Sequence, residues 1–189
     1  MEKIPVIIDC DPGHDDMVAL VLALGSQRLD VKAITNVAGN KVMEKVVRNT
    51  LNILNYCGAE CIVAPGASRP IVRAYTRTDS EGCHGVSGLD GFDFPRDNPL
   101  KPSDRKAVEV MADVLRNSRE KVVLIGTGPL TNLGLLIRTF PELCEEKVRC
   151  ISLMGGTCHF ILTRPFMEFN TYLDAEATKI VFESGLPIT

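Results

Sequence analysis

The chain has 189 residues, enough for one sizeable domain with its own hydrophobic core. It is 45% hydrophobic and 24% charged, with a net charge of −3 and no basic block, which argues against a nucleic-acid or membrane partner. No apolar run approaches the roughly 20 residues of a transmembrane helix, and Met1-Glu2-Lys3-Ile4-Pro5 leads directly into a strand pattern, leaving no room for a signal peptide.

The apolar pattern alternates strand and helix. Lys3 to Asp9 reads as a buried strand, followed by a helix over Asp16 to Leu24 that Gly25 stops. Val31 to Val37 reads as a second strand, Lys41 to Tyr56 as a helix closed by Cys57-Gly58, and Cys61 to Ala64 as a short third strand. Residues 65 to 104 are rich in Gly, Pro, Ser, Asp and Arg, and so long a connection inside a domain is usually functional or disordered. Ser103 is placed to cap a helix through Asn117, and Lys121 to Gly126 reads as a fourth strand. Gly128-Pro129-Leu130-Thr131-Asn132 opens another helix, and Cys150 to Met154 reads as a fifth strand ending in Gly155-Gly156. After a second irregular stretch, Asp174 caps a helix to Ser184 that Gly185 stops, and Leu186-Pro187-Ile188-Thr189 reads as the opening of a sixth strand. The expectation is an α/β fold: an open, mainly parallel, Rossmann-like sheet with helices on both faces, forming a single domain over residues 1–189.

Seven cysteines, an odd number without a secretory signal, point to reduced thiols and a cytoplasmic protein. Cys57 and Cys61 lack a second pair or a nearby histidine to complete a zinc site and read as plain thiols.

The first strand runs into Asp9-Cys10-Asp11-Pro12-Gly13-His14-Asp15-Asp16, with four aspartates within eight residues. So many carboxylates in one turn repel one another unless a cation or several donors compensate. A hard divalent cation with oxygen ligands is the natural compensator. In a parallel sheet the loops after the strands share one edge, where α/β proteins bind ligands. That topology gathers Asp11, Asp15, Asp16, Asn40, Thr127 and the Met154-Gly155 turn, and a carbonyl near Thr127 adds a neutral oxygen of the kind Ca²⁺ takes. Asp9 and His14 read as structural, Asp9 as a buried strand residue and His14 as a packing or solvent residue.

These residues resemble the N-terminal signature of the inosine-uridine-preferring nucleoside hydrolases. Val37-Ala38-Gly39-Asn40, His84-Gly85-Val86-Ser87-Gly88-Leu89, Gly126-Thr127-Gly128-Pro129-Leu130-Thr131-Asn132, Leu153-Met154-Gly155-Gly156 and Glu168-Phe169-Asn170 follow in the family's order. The resemblance implies a nucleoside hydrolase fold lacking its C-terminal part, and hydrolysis of the N-glycosidic bond of purine and pyrimidine ribonucleosides to base and ribose. It implies a Ca²⁺ held by Asp11, Asp16 and the Thr127 carbonyl, with Asp11 also the general base toward water. Asp15 would hold a ribose hydroxyl, Asn40, Glu168 and Asn170 would grip the sugar, Met154 would line the ribose pocket, and His84 would face the base. A ribonucleoside substrate, a homo-oligomeric full-length family (dimer or tetramer) and a place in nucleoside salvage follow from the same likeness.

Two departures stand against that pattern. The family completes its site with a His-Asp pair from a segment beyond residue 189, and this chain has Phe160-Ile161-Leu162 where glycines and a sugar-binding asparagine are expected. A non-catalytic calcium or ribose binder on the same fold is therefore an alternative. So is a haloacid-dehalogenase-type phosphatase, from Asp9-Cys10-Asp11, although Gly13 stands where that pattern needs Thr or Val.

Overall fold

The structure is a computed structural model and describes residues 2–75, 83–156 and 168–189. Five strands, β1 (Ile4–Cys10), β2 (Leu29–Asn36), β3 (Ile62–Pro65), β4 (Val122–Gly126) and β5 (Val148–Leu153), form one sheet in the order β3-β2-β1-β4-β5. All four pairings are parallel, which places every strand's carboxyl end on the same edge. The crossovers are helical: α1 (His14–Gly25), α2 (Met43–Cys57), α3 (Ala107–Asn117), α4 (Thr131–Thr139) and α5 (Pro141–Lys147), with α6 (Phe169–Leu173) and α7 (Ala175–Phe182) following β5. The expected α/β sheet with helices on both faces is what forms.

Alternation along the strands divides the core between the two faces. Ile7, Leu124 and Ile151 pack with Met111, Leu115, Leu133, Leu136 and Val181 of α3, α4 and α7. Val6, Ile8, Ile34 and Val63 pack with Leu20 and Ala23 of α1 and Val47, Leu51 and Leu54 of α2. On this second face the cover thins beyond α1: Val123 and Ile125 of β4 are only half-buried, and Val18, Val21 and Leu22 of α1 are exposed.

Local chemistry shifts some boundaries. α1 starts at His14 rather than Asp16, with Gly13 as its N-cap. Ser103 does not cap α3: its N–H donates to the Val63 carbonyl and its hydroxyl accepts the Arg105 N–H, so it anchors the connection while Lys106 takes the cap position. Asp174 caps α7 as expected, its carboxylate accepting the Ala177 N–H. Residues Pro187–Thr189 lie against β5 as a one-bridge parallel extension, with Ile151 N–H on the Pro187 carbonyl and Thr189 N–H on the Ile151 carbonyl. Two short helices, α5 and α6, have no counterpart in the expected pattern, being too brief to show a period. Cys57 and Cys61 carry free thiols, as do the other described cysteines.

Candidate active site

The turn after β1 buries two carboxylates: Asp11 is 0% exposed and Asp16 3%. Asp16 sits in the first turn of α1 and accepts the Gly13 N–H at 3.1 Å and the Thr127 hydroxyl at 2.5 Å, tying the start of α1 to the loop after β4. Asp11 accepts the Asn40 N–H on Oδ2 at 2.6 Å, and the Asn40 side-chain amide donates to the Asp11 carbonyl at 3.2 Å. Asp11 Oδ1 is buried and has no hydrogen-bond partner among the described residues. Burial and the neighbouring Asp16 charge push the Asp11 carboxyl well above the usual range, and burial raises Asp16 to about 6.

Two glycines make room for this carboxylate. A Cβ on Gly39 would lie 2.1 Å from Asp11 Oδ2, and one on Gly128 would lie 2.6 Å from Asp11 Oδ1. No side chain fits at either place, so the glycines of both flanking loops are required by what Asp11 occupies.

The other expected residues gather on the same edge, with different duties. Thr127 presents its carbonyl to the Asn170 amide at 2.9 Å, and that amide also touches Met154 Sδ at 3.3 Å. Glu168 is engaged as the N-cap of α6: its carboxylate takes the N–H groups of Asn170, Thr171 and Gly156 and the Thr171 hydroxyl. Asp15 is exposed, with His84 Nε2 3.7 Å from its Oδ1. His84 Nδ1 accepts the His14 N–H at 3.2 Å, which leaves the neutral ring's proton on Nε2, facing Asp15. The His84 ring also fills the space over Gly13, where a Cβ would come within 2.7 Å of it. His14, read from the sequence as a packing residue, secures this loop: its Nε2 donates to the Asp90 carbonyl at 2.9 Å.

Several contributors carry no sequence signal of their own. Tyr75 donates its hydroxyl to the Gly39 carbonyl at 3.2 Å, bracing the turn that presents Asn40. Asp174 accepts the Ile71 N–H and the Thr131 hydroxyl besides capping α7. Phe160-Ile161-Leu162 and His159 lie outside the described residues.

Among the described residues no cluster of three His, Cys, Asp or Glu side chains forms a self-sufficient metal site. What the turn offers is a partial, all-oxygen set. A cavity of about 670 Å³ opens at the opposite end of the sheet beside Lys3, Pro5 and Lys32 and is lined by none of these residues.

Comparison with known proteins identifies the family. Residues 6–189 match the family model described as inosine-uridine preferring nucleoside hydrolase. The chain is 47% identical over 186 residues to a pyrimidine-specific ribonucleoside hydrolase, RihA, of Escherichia coli; the match takes in 98% of this chain and 58% of the relative. The fold superposes on a purine-preferring ribonucleoside hydrolase from Gardnerella vaginalis with a TM-score of 0.88 at 32% identity, covering 97% of this chain and 59% of that one. A plant nucleoside hydrolase gives a TM-score of 0.89 at 32% identity, with 98% and 58% covered. The chain thus spans less than two thirds of the length of these relatives. With its strand-end motifs, its parallel sheet and a match over nearly its whole length, the chain belongs to the inosine-uridine preferring nucleoside hydrolase family.

Proposed function

We propose that this chain carries the ribose- and cation-binding part of a calcium-dependent ribonucleoside hydrolase that cleaves the N-glycosidic bond to free base and ribose. The observation that carries the reading is Asp11 Oδ1, a buried carboxylate oxygen without a described partner, beside a second buried carboxylate. An oxygen left bare in such a place costs free energy that a hard cation offsets.

The donor chemistry fits calcium. Asp11, Asp16 and the Thr127 carbonyl are all oxygen donors; calcium takes six to eight, so this chain holds part of a coordination shell. When bound, the ion supplies positive charge that eases ionisation of water and orients the ribose diol. Asp11, beside the cation it would help hold, accepts the proton from the attacking water. The carboxylates of Asp11, Asp15 and Asp16 face the ribose, where positive charge builds as the glycosidic bond breaks, and stabilise it electrostatically. Asn40 and Asn170 position the sugar hydroxyls, with Met154 lining the ribose pocket and Glu168 fixing the α6 end. His84 faces the base. Identity to a pyrimidine-specific relative favours uridine and cytidine over inosine within a purine and pyrimidine range. Free thiols at all described cysteines suit a cytoplasmic setting, and a homo-oligomeric assembly is part of the same reading.

The test has two parts. Calorimetric titration of Ca²⁺ into the chain should show binding that Asp16→Ala weakens; equal binding by both would reject the cation site. Base release from uridine, cytidine and inosine should follow when the chain is joined to the residues of the Escherichia coli relative that lie beyond the match. Asp11→Ala should abolish that release, costing at least about 10²-fold. Calcium binding without release from any of the three would favour the non-catalytic binder.

A further inference from the structure

We infer that Asp9 and Asn132 form the positioning pair that fixes the four strand ends around Asp11, an inference that rests on the site proposed above. Asp9 is 1% exposed, and its Oδ1 accepts both the Thr35 hydroxyl at 2.6 Å and the Asn132 side-chain amide at 2.8 Å. Asn132, fully buried at the start of α4, donates with the same nitrogen to the Asn36 carbonyl at 2.9 Å and accepts the Ala67 N–H on Oδ1 at 2.8 Å. The Asp9 carbonyl accepts the Thr127 N–H at 2.9 Å.

These bonds reach the four strand ends nearest Asp11. Asp9 belongs to β1, Thr35 and Asn36 to β2, Ala67 to the loop after β3, and Thr127 to the loop after β4. Gly66 completes the arrangement, because a Cβ there would lie 2.3 Å from both polar atoms of the Asn132 amide. A leucine at position 132 would fill similar volume without desolvating an amide beside a buried carboxylate, so packing alone does not account for the pair. What the polar pair adds is direction. Each bond tolerates only a narrow range of lengths and angles, so the β2 turn that carries Asn40 and the β4 turn that carries Thr127 are held in one register against Asp11. Small displacements of such groups are costly to a reaction, since productive alignment is lost within about an ångström. Asp9 and Asn132 are positioning residues: they act through Asn40, Thr127 and Asp11.

The experiment compares amide hydrogen exchange, read by NMR, in the wild-type chain and in Asn132→Leu, Thr35→Val, Asp9→Leu and Asp9→Asn. In Asn132→Leu and Thr35→Val the Asn40 and Thr127 amides should exchange about tenfold faster or more, while Leu124 in the middle of β4 keeps its protection. Asp9→Asn retains an acceptor oxygen for Thr35 and Asn132 and should keep wild-type protection at both amides, whereas Asp9→Leu should lose it. Thr35→Val is nearly isosteric and covers the case in which Asn132→Leu does not fold. Unchanged exchange at Asn40 and Thr127 in folded Asn132→Leu or Thr35→Val would overturn the inference, as would a uniform loss of protection across β4. Ca²⁺ titration runs alongside: a wild-type chain that binds no Ca²⁺ counts against the proposed function, and the exchange result still decides the role of the pair.

Discussion

Asn40 holds Asp11 by both ends, its backbone N–H on the carboxylate and its side-chain amide on the carbonyl, so that one carboxylate oxygen is fixed while the other is buried without a hydrogen-bond partner among the described residues. The grip depends on Gly39 and Gly128, whose missing side chains leave the volume that Asp11 fills. Gly39→Ala and Gly128→Ala should each lower the melting temperature by about 5 °C, as expected for overpacking of a buried site, and should weaken Ca²⁺ binding. Gly25→Ala, with nothing within 4 Å of the added Cβ, is the control and should change neither. Equal melting of all three variants by circular dichroism would show that the turn yields easily.

Stability should rise on acidification over an unusual range. Asp9 is raised to about 7 and Asp16 to about 6, both by burial, so the folded chain binds protons more tightly than the unfolded one. Stability contributed by such groups is present at low pH and declines as pH climbs from the ordinary carboxylate value toward the raised one; for Asp16 this amounts to about 3 kcal/mol. Without added cation, the melting temperature should increase between pH 7.5 and 5.5, and Asp16→Asn should flatten the slope. Ca²⁺ added at pH 7.5 should recover the difference. A flat profile in the wild-type chain would contradict the burial of these charges.

The loop over residues 84–90 should be held by two imidazoles. His84→Ala removes the acceptor for the His14 N–H and the ring packed over Gly13, and His14→Ala removes the donor to the Asp90 carbonyl. Deuterium uptake across residues 84–90 should increase several-fold in either variant, with β1 unaffected. The Asp90 bonds to the Val86 and Ser87 amides lie within the loop and should persist, so the loop moves as a unit.

Self-association should track the outer face of α1. Val18, Val21 and Leu22 share one side of that helix and are 55%, 40% and 69% exposed, next to the thinly covered β4. Val18→Lys with Leu22→Lys should shift sedimentation toward the monomer and raise solubility. An unchanged sedimentation coefficient would place the association elsewhere.

The fold was readable because buried parallel strands leave uninterrupted runs such as Val6-Ile7-Ile8, and the motifs at their ends fall where a parallel sheet must gather them. The acidic turn was readable for an electrostatic reason, since four carboxylates in eight residues demand compensation. The partnerships were less visible. Glu168 as an anchor for the Gly156 turn, His14 as a tether and Asn132 as a hub depend on contacts across 12, 70 and 123 residues, which no local pattern encodes. Asp9 is the instructive case. Read as structural, it is indeed buried in the strand, but its bonds make it the point through which the neighbouring loops are aligned.

β1 is the middle strand, with β2 on one side and β4 on the other. The acidic turn at its end is completed by Asn40, delivered from the β2 side, and by Thr127, delivered from the β4 side. Neither half of the sheet can assemble the cleft alone, and both pairings join stretches distant in sequence, which form slowly. A cation captured there would act as a timekeeper for refolding: its signal should lag the collapse of the hydrophobic strands and mark the moment both seams have closed. Its binding energy would then favour the finished sheet alone, so that calcium in the refolding buffer rewards completion without hastening the early steps.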